Sequence, residues 1–182
     1  NLKYSKKNIM FRFITLLLIL FLTVESHSTV WMTIPEALDT YFPNYKVKKG
    51  KIYLNKKTMA RLEKTTRSEF KDKIYTYYEA YKGTRRVNTA FVDTHILRTR
   101  TETIFVVFNN KGKVQSVEVL AFYEPEEYIM TKKWLKQFDG KNLRQKLIPR
   151  EDIIEVSGAT ISSHETTKAI RRTMGLYNLL YK

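Results

Sequence analysis

The middle of the chain carries four segments in which apolar and polar residues alternate, and this period of two constrains the fold most strongly. In order, the segments are KIYTYYEAYKG, RRVNTAFVDTHIL, TETIFVVFNN and KVQSVEVLAFY, all rich in β-branched and aromatic residues. Such patterns are typical of strands that bury one face. The last two segments are joined by NNKG at positions 109–112, whose turn-forming residues indicate a hairpin. We therefore predict an antiparallel sheet for this part of the chain.

Helices are predicted at both ends of the chain. Thr33 and Glu36 have the spacing of a capping box, which marks the start of a first helix. Apolar residues at helical intervals indicate a second helix near Asn55, a short helix around Trp134 and a longer one from about Ser163. Because the strands stand between these helices, we predict an α+β fold with a central, mostly antiparallel sheet flanked by helices.

The first 28 residues have the layout of a secretory signal peptide. Four basic residues precede an apolar run from Phe13 to Val24, and small polar residues follow it. The 12 residues of this run are fewer than the ~20 that a membrane-spanning helix needs. We therefore expect export to the periplasm or another compartment outside the cytoplasm, with cleavage near Ser28. An uncleaved membrane anchor formed by residues 13–24 is the alternative.

Charge and cysteine content narrow the classes of function. The chain has 33 Lys and Arg against 18 Asp and Glu, a formal charge of +15, and most of this excess lies after residue 28. It has no cysteine, which excludes disulfides, thiolate metal sites and cysteine nucleophiles. The separated histidines predict no metal site. Redox chemistry in such a chain must use an organic cofactor held by other groups.

The clearest site pattern lies just before the predicted last helix. Residues 157–160 have the sequence SGAT, and Ser162 and Glu165 behind them have capping-box spacing. A loop at a helix N-terminus presents backbone N–H groups that bind phosphate. Three basic residues follow within the next turns and add positive charge: Lys168, Arg171 and Arg172. A simple helix cap is the other interpretation of this stretch.

Three further stretches accompany SGAT: the strand VNTAFVDTHIL, the hairpin ETIFVVFNNKGKVQSVEVLAF, and EPEEY followed by WLKQFDGK. With them the chain resembles the FMN-binding domain family, found in flavin subunits of sodium-pumping NADH:quinone reductase and the Rnf complex and in small exported flavoproteins. The resemblance covers residues 73–182 and implies FMN as the cofactor. The implied FMN-binding residues lie in the SGAT loop and in EPEEY: Ser157, Gly158, Ala159, Thr160, Ser162, Ser163, Glu124, Pro125 and Tyr128.

The resemblance also implies how FMN is held. In this family the motif threonine, Thr160 in this chain, often carries FMN through a phosphoester. A separate Mg²⁺-dependent flavin transferase passes the FMN half of FAD to that hydroxyl outside the cytoplasm. Members with attached FMN usually have an acidic residue three positions before the motif, where this chain has Ile154, with Asp152 and Glu155 out of register. We therefore expect covalent attachment that is slow or partial.

The expected layout is a signal peptide or anchor at 1–28, a helical N-terminal segment at 29–72 and an FMN-binding domain at 73–182. The resemblance implies electron transfer by the flavin rather than stand-alone catalysis. For so basic a chain, acidic redox proteins are the expected partners, and contact with an anionic membrane surface is a further expectation.

Two other functions stay open from the sequence. The lysines between positions 46 and 57 favour a non-redox binding protein for nucleic acid or an anionic polymer of the cell envelope. Export and the lack of a nucleic-acid-binding motif argue against nucleic acid. The third interpretation is an enzyme that uses FMN to reduce a small substrate. The sequence reveals no substrate pocket, so it does not decide for or against this interpretation.

Overall fold

The computed structural model describes residues 29–182, so the predicted signal peptide lies outside the described residues. The six strands of this part are β1 (Thr29–Val30), β2 (Lys46–Tyr53), β3 (Ile74–Lys82), β4 (Arg85–Ile96), β5 (Thr101–Asn109) and β6 (Val114–Phe122). Its four α-helices are α1 (Ile34–Tyr41), α2 (Lys56–Thr66), α3 (Lys132–Leu135) and α4 (Thr160–Tyr181). Within residues 29–182, no helix is both long and apolar enough to span a bilayer.

All six strands join one antiparallel sheet in the order β1-β6-β5-β4-β3-β2. The strands from β3 to β6 follow one another along the chain and pair with their neighbours, as the period-two segments predict. Gly112, with φ of 74°, lies in the turn that joins β5 to β6. The predicted α+β fold with a central antiparallel sheet and flanking helices is confirmed.

The sheet separates two apolar layers, and β5 shows how. Ile104, Val106 and Phe108 enter the larger layer, which α2 and α4 cover. Phe105 and Val107 enter the smaller layer, which α1 covers. Because successive side chains of a strand point to opposite faces, a strand buried on both faces is apolar almost throughout. The helix that carries the SGAT motif at its start, α4, therefore packs directly on the middle of the sheet.

Side-chain caps explain where the first two helices begin. At α1, Thr33 and Glu36 form a reciprocal capping box, in which the Thr33 N–H donates to the Glu36 carboxylate at 2.7 Å. At α2, Asn55 accepts a hydrogen bond from the Thr58 N–H at 2.9 Å. Both predicted helix starts are confirmed, because residues that accept from these unpaired N–H groups are recognisable in the sequence.

Residues 29–72 are not purely helical, which corrects the sequence prediction for this segment. Strand β2 lies between α1 and α2 and pairs with β3 over its whole length. Its sequence, KVKKGKIY, places lysines at exposed positions on an edge strand. Lysines at a sheet edge hinder pairing with another chain. The same lysines mask the alternation that identifies a strand.

The last helix begins at Thr160, three residues before the predicted start. Ala159 is the N-cap and makes no side-chain capping bond. Ser162 and Glu165 therefore lie within the helix, and the capping box predicted for this pair is wrong. Ser163 holds this helix end instead, since its hydroxyl donates to the Ala159 carbonyl at 3.1 Å.

Candidate functional site

A small cleft of about 240 Å³ opens at the start of α4. It lies between the SGAT turn, the first turn of α4, the β4–β5 turn and the helical turn that follows β6. Five of the nine predicted site residues line it: Tyr128, Gly158, Ala159, Thr160 and Ser162. The other two lining residues are Arg98 and Ile161. The chain thus brings the SGAT loop and the EPEEY segment together, although they are about 30 residues apart in the sequence.

The turn before α4 presents backbone donors to this cleft. The Ala159 N–H donates to the Val156 carbonyl at 3.0 Å, and Gly158 occupies the third position of this turn with φ of 82°. That conformation favours glycine, and no atom lies within 4 Å of the place that a Cβ would take. Since Ala159 supplies no cap, the first N–H groups of α4 are available to an anion.

Two hydroxyl groups of the first turn of α4 reach the cleft. Thr160 is exposed and is the first residue of the helix. Ser162 is 1% exposed, and its Oγ has no hydrogen-bond partner among the described residues. A buried hydroxyl without a partner is uncommon and indicates a contact with water or a ligand. Ser157 is exposed at the outer end of the turn and does not line the cleft.

Ser163 contributes to the shape of the loop. Its buried hydroxyl accepts the Val156 N–H at 3.2 Å and donates to the Ala159 carbonyl. The hydroxyl therefore ties both ends of the SGAT turn to the first turn of α4. The Ser163 hydroxyl bonds to these two backbone groups and does not line the cleft. A contact between Ser163 and FMN therefore stays a prediction.

Glu124 does not line the cleft but holds one of its walls. Its carboxylate is 5% exposed and accepts backbone N–H groups from Arg98, Thr99 and Arg100 at 3.2, 2.5 and 2.7 Å. Burial acts to raise the pKa of Glu124, but these hydrogen bonds outweigh it and hold the pKa below its ordinary value. The ionised carboxylate thereby fixes the β4–β5 turn. The neighbouring Pro125 is exposed.

Arg98 is a cleft residue that the sequence analysis missed. It lies in the turn that Glu124 fixes, and its guanidinium stands 4.1 Å from the centre of the Tyr128 ring. The guanidinium is suited to phosphate because it offers several N–H donors in one plane. The only signal in the sequence was an arginine in a turn between two strands, which is usually a solvated surface residue.

The basic residues of α4 do not supply the positive charge that the sequence predicted for the loop. Lys168 pairs with Glu165 at 2.6 Å, and Arg172 pairs with Asp93 at 2.7 Å. Arg171 is buried against backbone carbonyls of α2 and of the segment before the motif, and burial lowers its pKa to about 10. Each of these three charged groups is thus paired with a carboxylate or hydrogen-bonded to backbone carbonyls within the fold. Arg98 is the basic residue that lines the cleft.

Ile154 occupies the position where members of the FMN-binding domain family with attached FMN usually have an acidic residue. Its backbone is held on both sides, because its N–H donates to Gln137 Oε1 at 2.8 Å and its carbonyl accepts Trp134 Nε1 at 2.5 Å. Its side chain is 72% exposed. Trp134 itself is buried in the core, which agrees with a packing role. A side chain at position 154 is therefore presented to any protein that approaches the loop.

The two acidic residues near Ile154 make other contacts. Asp152 accepts two backbone N–H groups from residues 147 and 148, which lower its pKa against the effect of burial. Glu155 pairs with Arg150 at 2.6 Å and with His164 at 3.1 Å, and the hydrogen bond from Arg150 lowers its pKa. The Glu155–His164 pair joins the segment before SGAT to the first turns of α4.

A larger cleft of about 960 Å³ lies where β3 and β4 diverge. Pairing between these strands stops at Tyr77 and Phe91, although β3 begins at Ile74 and β4 continues to Ile96. The cleft is lined on one side by His95. Its side chain is 8% exposed and lies 3.1 Å from the carboxylates of both Asp93 and Glu102. Within residues 29–182, no group of acidic residues and histidines could hold a metal ion.

Residues 100–175 match the family model of the FMN-binding domain. This stretch is an FMN-binding domain. FMN is its cofactor, and the family recognised from the sequence is confirmed. The match begins at β5, ends within α4 and contains all nine predicted site residues; Arg98 stands just before it. Neither the curated proteins nor the solved structures include a match to this chain.

The small cleft of this FMN-binding domain suits one end of its cofactor. The N–H groups at the start of α4 and the Arg98 guanidinium are phosphate donors, and the unpartnered Ser162 hydroxyl is a further polar contact. Its volume is below the ~300–1,000 Å³ of sites that enclose drug-sized ligands. The donors that line the cleft therefore fit the phosphate of FMN, which Arg98 and the N–H groups at the start of α4 would hold.

Proposed function

We propose that the chain is an exported electron-transfer flavoprotein whose FMN is joined to Thr160 through a phosphoester. The observation that carries the proposal is the position of Thr160 in the FMN-binding domain. It is the exposed first residue of α4, in a cleft with Arg98 and the open helix N-terminus. The signal-peptide pattern of residues 1–28 supports export.

The proposed attachment is a transfer of FMN from FAD. The Thr160 oxygen forms a bond to the phosphorus on the flavin side of the pyrophosphate, and the bond from that phosphorus to the bridging oxygen breaks. AMP leaves, and the hydroxyl proton goes to a base of the transferase or to water. Mg²⁺ and the transferase supply the catalysis, while this chain supplies the acceptor hydroxyl.

The chain's own residues position that acceptor and hold the phosphate. The N–H groups at the start of α4 and the guanidinium of Arg98 stabilise negative charge beside Thr160. Glu124 keeps Arg98 in place through the β4–β5 turn. Ser163 keeps the SGAT turn closed against α4. These contacts hold the turn and Arg98 through hydrogen bonds within the protein itself, which lowers the entropy cost of binding the phosphate.

We assign electron transfer to this protein because FMN carries electrons. The chain has no cysteine, so the flavin is the redox group on which this function rests. FMN supplies the one- and two-electron chemistry when bound, and the protein supplies position and electrostatics. The exposed lysines of β2 form a positive surface, for which we propose acidic redox proteins as partners and anionic lipid headgroups as a further contact.

Flavin content and redox cycling of the exported protein test this proposal. We expect protein purified from cells that contain a flavin transferase to be yellow and to be reduced and reoxidised by partner proteins. A colourless protein that binds nucleic acid or anionic polymers would instead support the non-redox alternative. Turnover of a small substrate without a partner protein would support a flavin enzyme.

A further inference from the structure

An imidazole stands beside the hydroxyl of Thr160, the proposed attachment point of FMN. His164 lies four residues after Thr160 in the same helix. Residues four apart share one face of a helix, with about 5–6 Å between their Cβ atoms. Helical side chains point back toward the N-terminus, so the imidazole covers the turn that begins with Thr160. Thr160 is exposed and the His164 side chain is 42% exposed, so the two groups are neighbours on the outer side of this turn.

Glu155 fixes the orientation of this imidazole. Its Oε1 lies 3.1 Å from His164 Nε2, while its Oε2 accepts a hydrogen bond from Arg150 at 2.6 Å. The bond from Arg150 lowers the pKa of Glu155, which keeps the carboxylate ionised. Because an ionised carboxylate only accepts hydrogen bonds, a neutral His164 donates its Nε2 proton to Glu155. The lone pair of the imidazole then lies on Nδ1, which can accept a proton.

Thr160, His164 and Glu155 thus have the arrangement that activates a hydroxyl nucleophile. A threonine hydroxyl is a weak nucleophile, and a neighbouring base that removes its proton makes it reactive. The base works best when a third group orients it, as a carboxylate orients the histidine of hydrolytic triads. An imidazole suits this task because it exchanges its proton between about pH 5 and 8. The first turn of α4 therefore offers an acceptor together with a base.

Holding the SGAT turn in place does not explain the contact between Glu155 and His164. Ser163 already ties both ends of this turn to α4, and the backbone of Ile154 is held by two other side chains. The imidazole is also partly open to solvent, and ion pairs at exposed positions contribute only about 0–1 kcal/mol. The pair therefore adds little to the stability of a turn that is fixed without it.

We propose that His164 is the general base for the attachment of FMN, with Glu155 as the residue that positions it. The inference rests on the proposed attachment to Thr160. Within residues 29–182, the Thr160 hydroxyl and the imidazole are not hydrogen-bonded to each other, so one water or a rotation of the Thr160 side chain completes the contact.

The base acts while the new phosphoester forms. The Thr160 oxygen forms its bond to the phosphorus on the flavin side of FAD, and the hydroxyl proton moves to His164 Nδ1. The bond from that phosphorus to the bridging oxygen breaks, and AMP leaves with the electron pair. The imidazolium, stabilised by the Glu155 carboxylate, then releases its proton to water. The products are the phosphoester, AMP and one proton.

Single-turnover attachment with excess flavin transferase, FAD and Mg²⁺, followed by intact mass, tests this role. The amide of His164→Gln can still donate to Glu155 but has no basic nitrogen. General bases contribute about 10²–10⁴-fold, so the maximal rate should fall at least about 100-fold while the half-saturating transferase concentration stays the same. Glu155→Gln should lower the maximal rate less, by about tenfold. The matched control is Glu151→Gln, which alters an acid paired with Lys146 in the same segment and should keep the natural rate.

Chemical rescue separates a base from a structural contact. His164→Ala removes the ring at a partly exposed position, so imidazole in solution should restore at least tenfold of the lost rate. A natural maximal rate in His164→Gln would overturn the assignment. A change confined to the half-saturating transferase concentration would also overturn it, because that result indicates a contact that only shapes the docking surface.

A measurement of pH dependence follows the same proton. The charged groups around the imidazole are Glu155 and Arg150 before the SGAT turn, and Glu165 and Lys168 on α4. The maximal rate of the natural chain should rise with pH as NMR shows His164 to lose its proton. Glu155→Gln changes the charge beside the ring, so the NMR titration and the rate profile should move together. A rate profile that stays in place would assign it to the transferase and overturn the role of His164.

Intact mass with fragmentation distinguishes failure of this inference from failure of the proposed function. FMN on Thr160 at equal rates in the natural chain and in His164→Gln would overturn only the base. A natural chain that gains no FMN, or gains it on another residue, would contradict the attachment itself.

Discussion

Glu124 accepts a hydrogen bond at 3.2 Å from the backbone N–H of Arg98, the residue whose guanidinium stands over Tyr128 in the small cleft. Glu124 itself does not line this cleft. The carboxylate thus acts on the site through the backbone of the β4–β5 turn, which it fixes with two further N–H groups. The EPEEY segment, recognised in the sequence as part of the site, therefore contributes a positioning residue.

Replacing Glu124 by Gln should disturb the site more than its distance from the cleft suggests. Gln has the same shape but loses the charge that strengthens the three hydrogen bonds, so we expect a loss of about 1–3 kcal/mol in the free energy of unfolding. FMN affinity should fall about tenfold, equivalent to about 1.4 kcal/mol, as Arg98 becomes mobile. Denaturant unfolding and FMN titration measure the two effects. The exposed neighbour Glu126→Gln is the control, and an equal effect of both changes would contradict the positioning role.

Ile154→Asp should raise the yield of covalent FMN. The side chain at this position is exposed while its backbone is held, so the transferase can contact the new carboxylate without a change in the loop. The flavin-to-protein ratio after a fixed reaction time measures the effect. Ile154→Asn, which has the shape of Asp without its charge, should leave the yield low. Full attachment in the natural chain would show that Ile154 is no handicap.

The sheet and the first two helices were predictable because their signals are local. The alternation of apolar and polar residues, the capping residues and the turn residues each act over a few positions. These signals predicted β3 to β6, α1 and α2. β2 was missed because its edge position replaces apolar residues by lysines. The start of α4 was misplaced because Ser163, rather than Ser162, closes the turn. Arg98 could not be found, since its place in the cleft depends on the long-range contact with Glu124.

Stability should fall as pH rises through the titration of His95. Burial acts to lower the pKa of His95, but its contacts with Asp93 and Glu102 raise the pKa to about 9. Below pH ~6.5, the usual histidine pKa, both the folded and the unfolded chain hold the proton, so the stabilisation is fully present. The stabilisation declines as the pH rises to about 9 and is then lost. The free energy of unfolding falls by about 3 kcal/mol over this range. Chemical denaturation across this range measures it, and His95→Gln should remove this slope. Identical slopes in both proteins would contradict the ion pairs of His95.

Electron transfer with an acidic partner should depend steeply on salt. Exposed charges are screened over ~8 Å at physiological ionic strength and over less at higher salt. Lys51→Glu on β2 should lower the bimolecular rate and weaken its salt dependence, because it reverses a charge on the proposed docking surface. Lys111→Glu, in the β5–β6 turn, makes the same change of charge elsewhere and should have a smaller effect. Stopped-flow rates across a salt series decide this, and a rate independent of salt would leave the basic surface without a role in encounter.

The attachment of FMN to Thr160 is tested most directly by intact-mass analysis of the chain after reaction with a flavin transferase, FAD and Mg²⁺. The natural chain should gain the mass of one FMN minus one water, and fragmentation should locate the added mass on Thr160. Thr160→Ala and Thr160→Val should gain nothing, while both keep the fold because the side chain is exposed. The same added mass in the Ala and Val variants, or its location on another residue of the natural chain, would contradict the assignment.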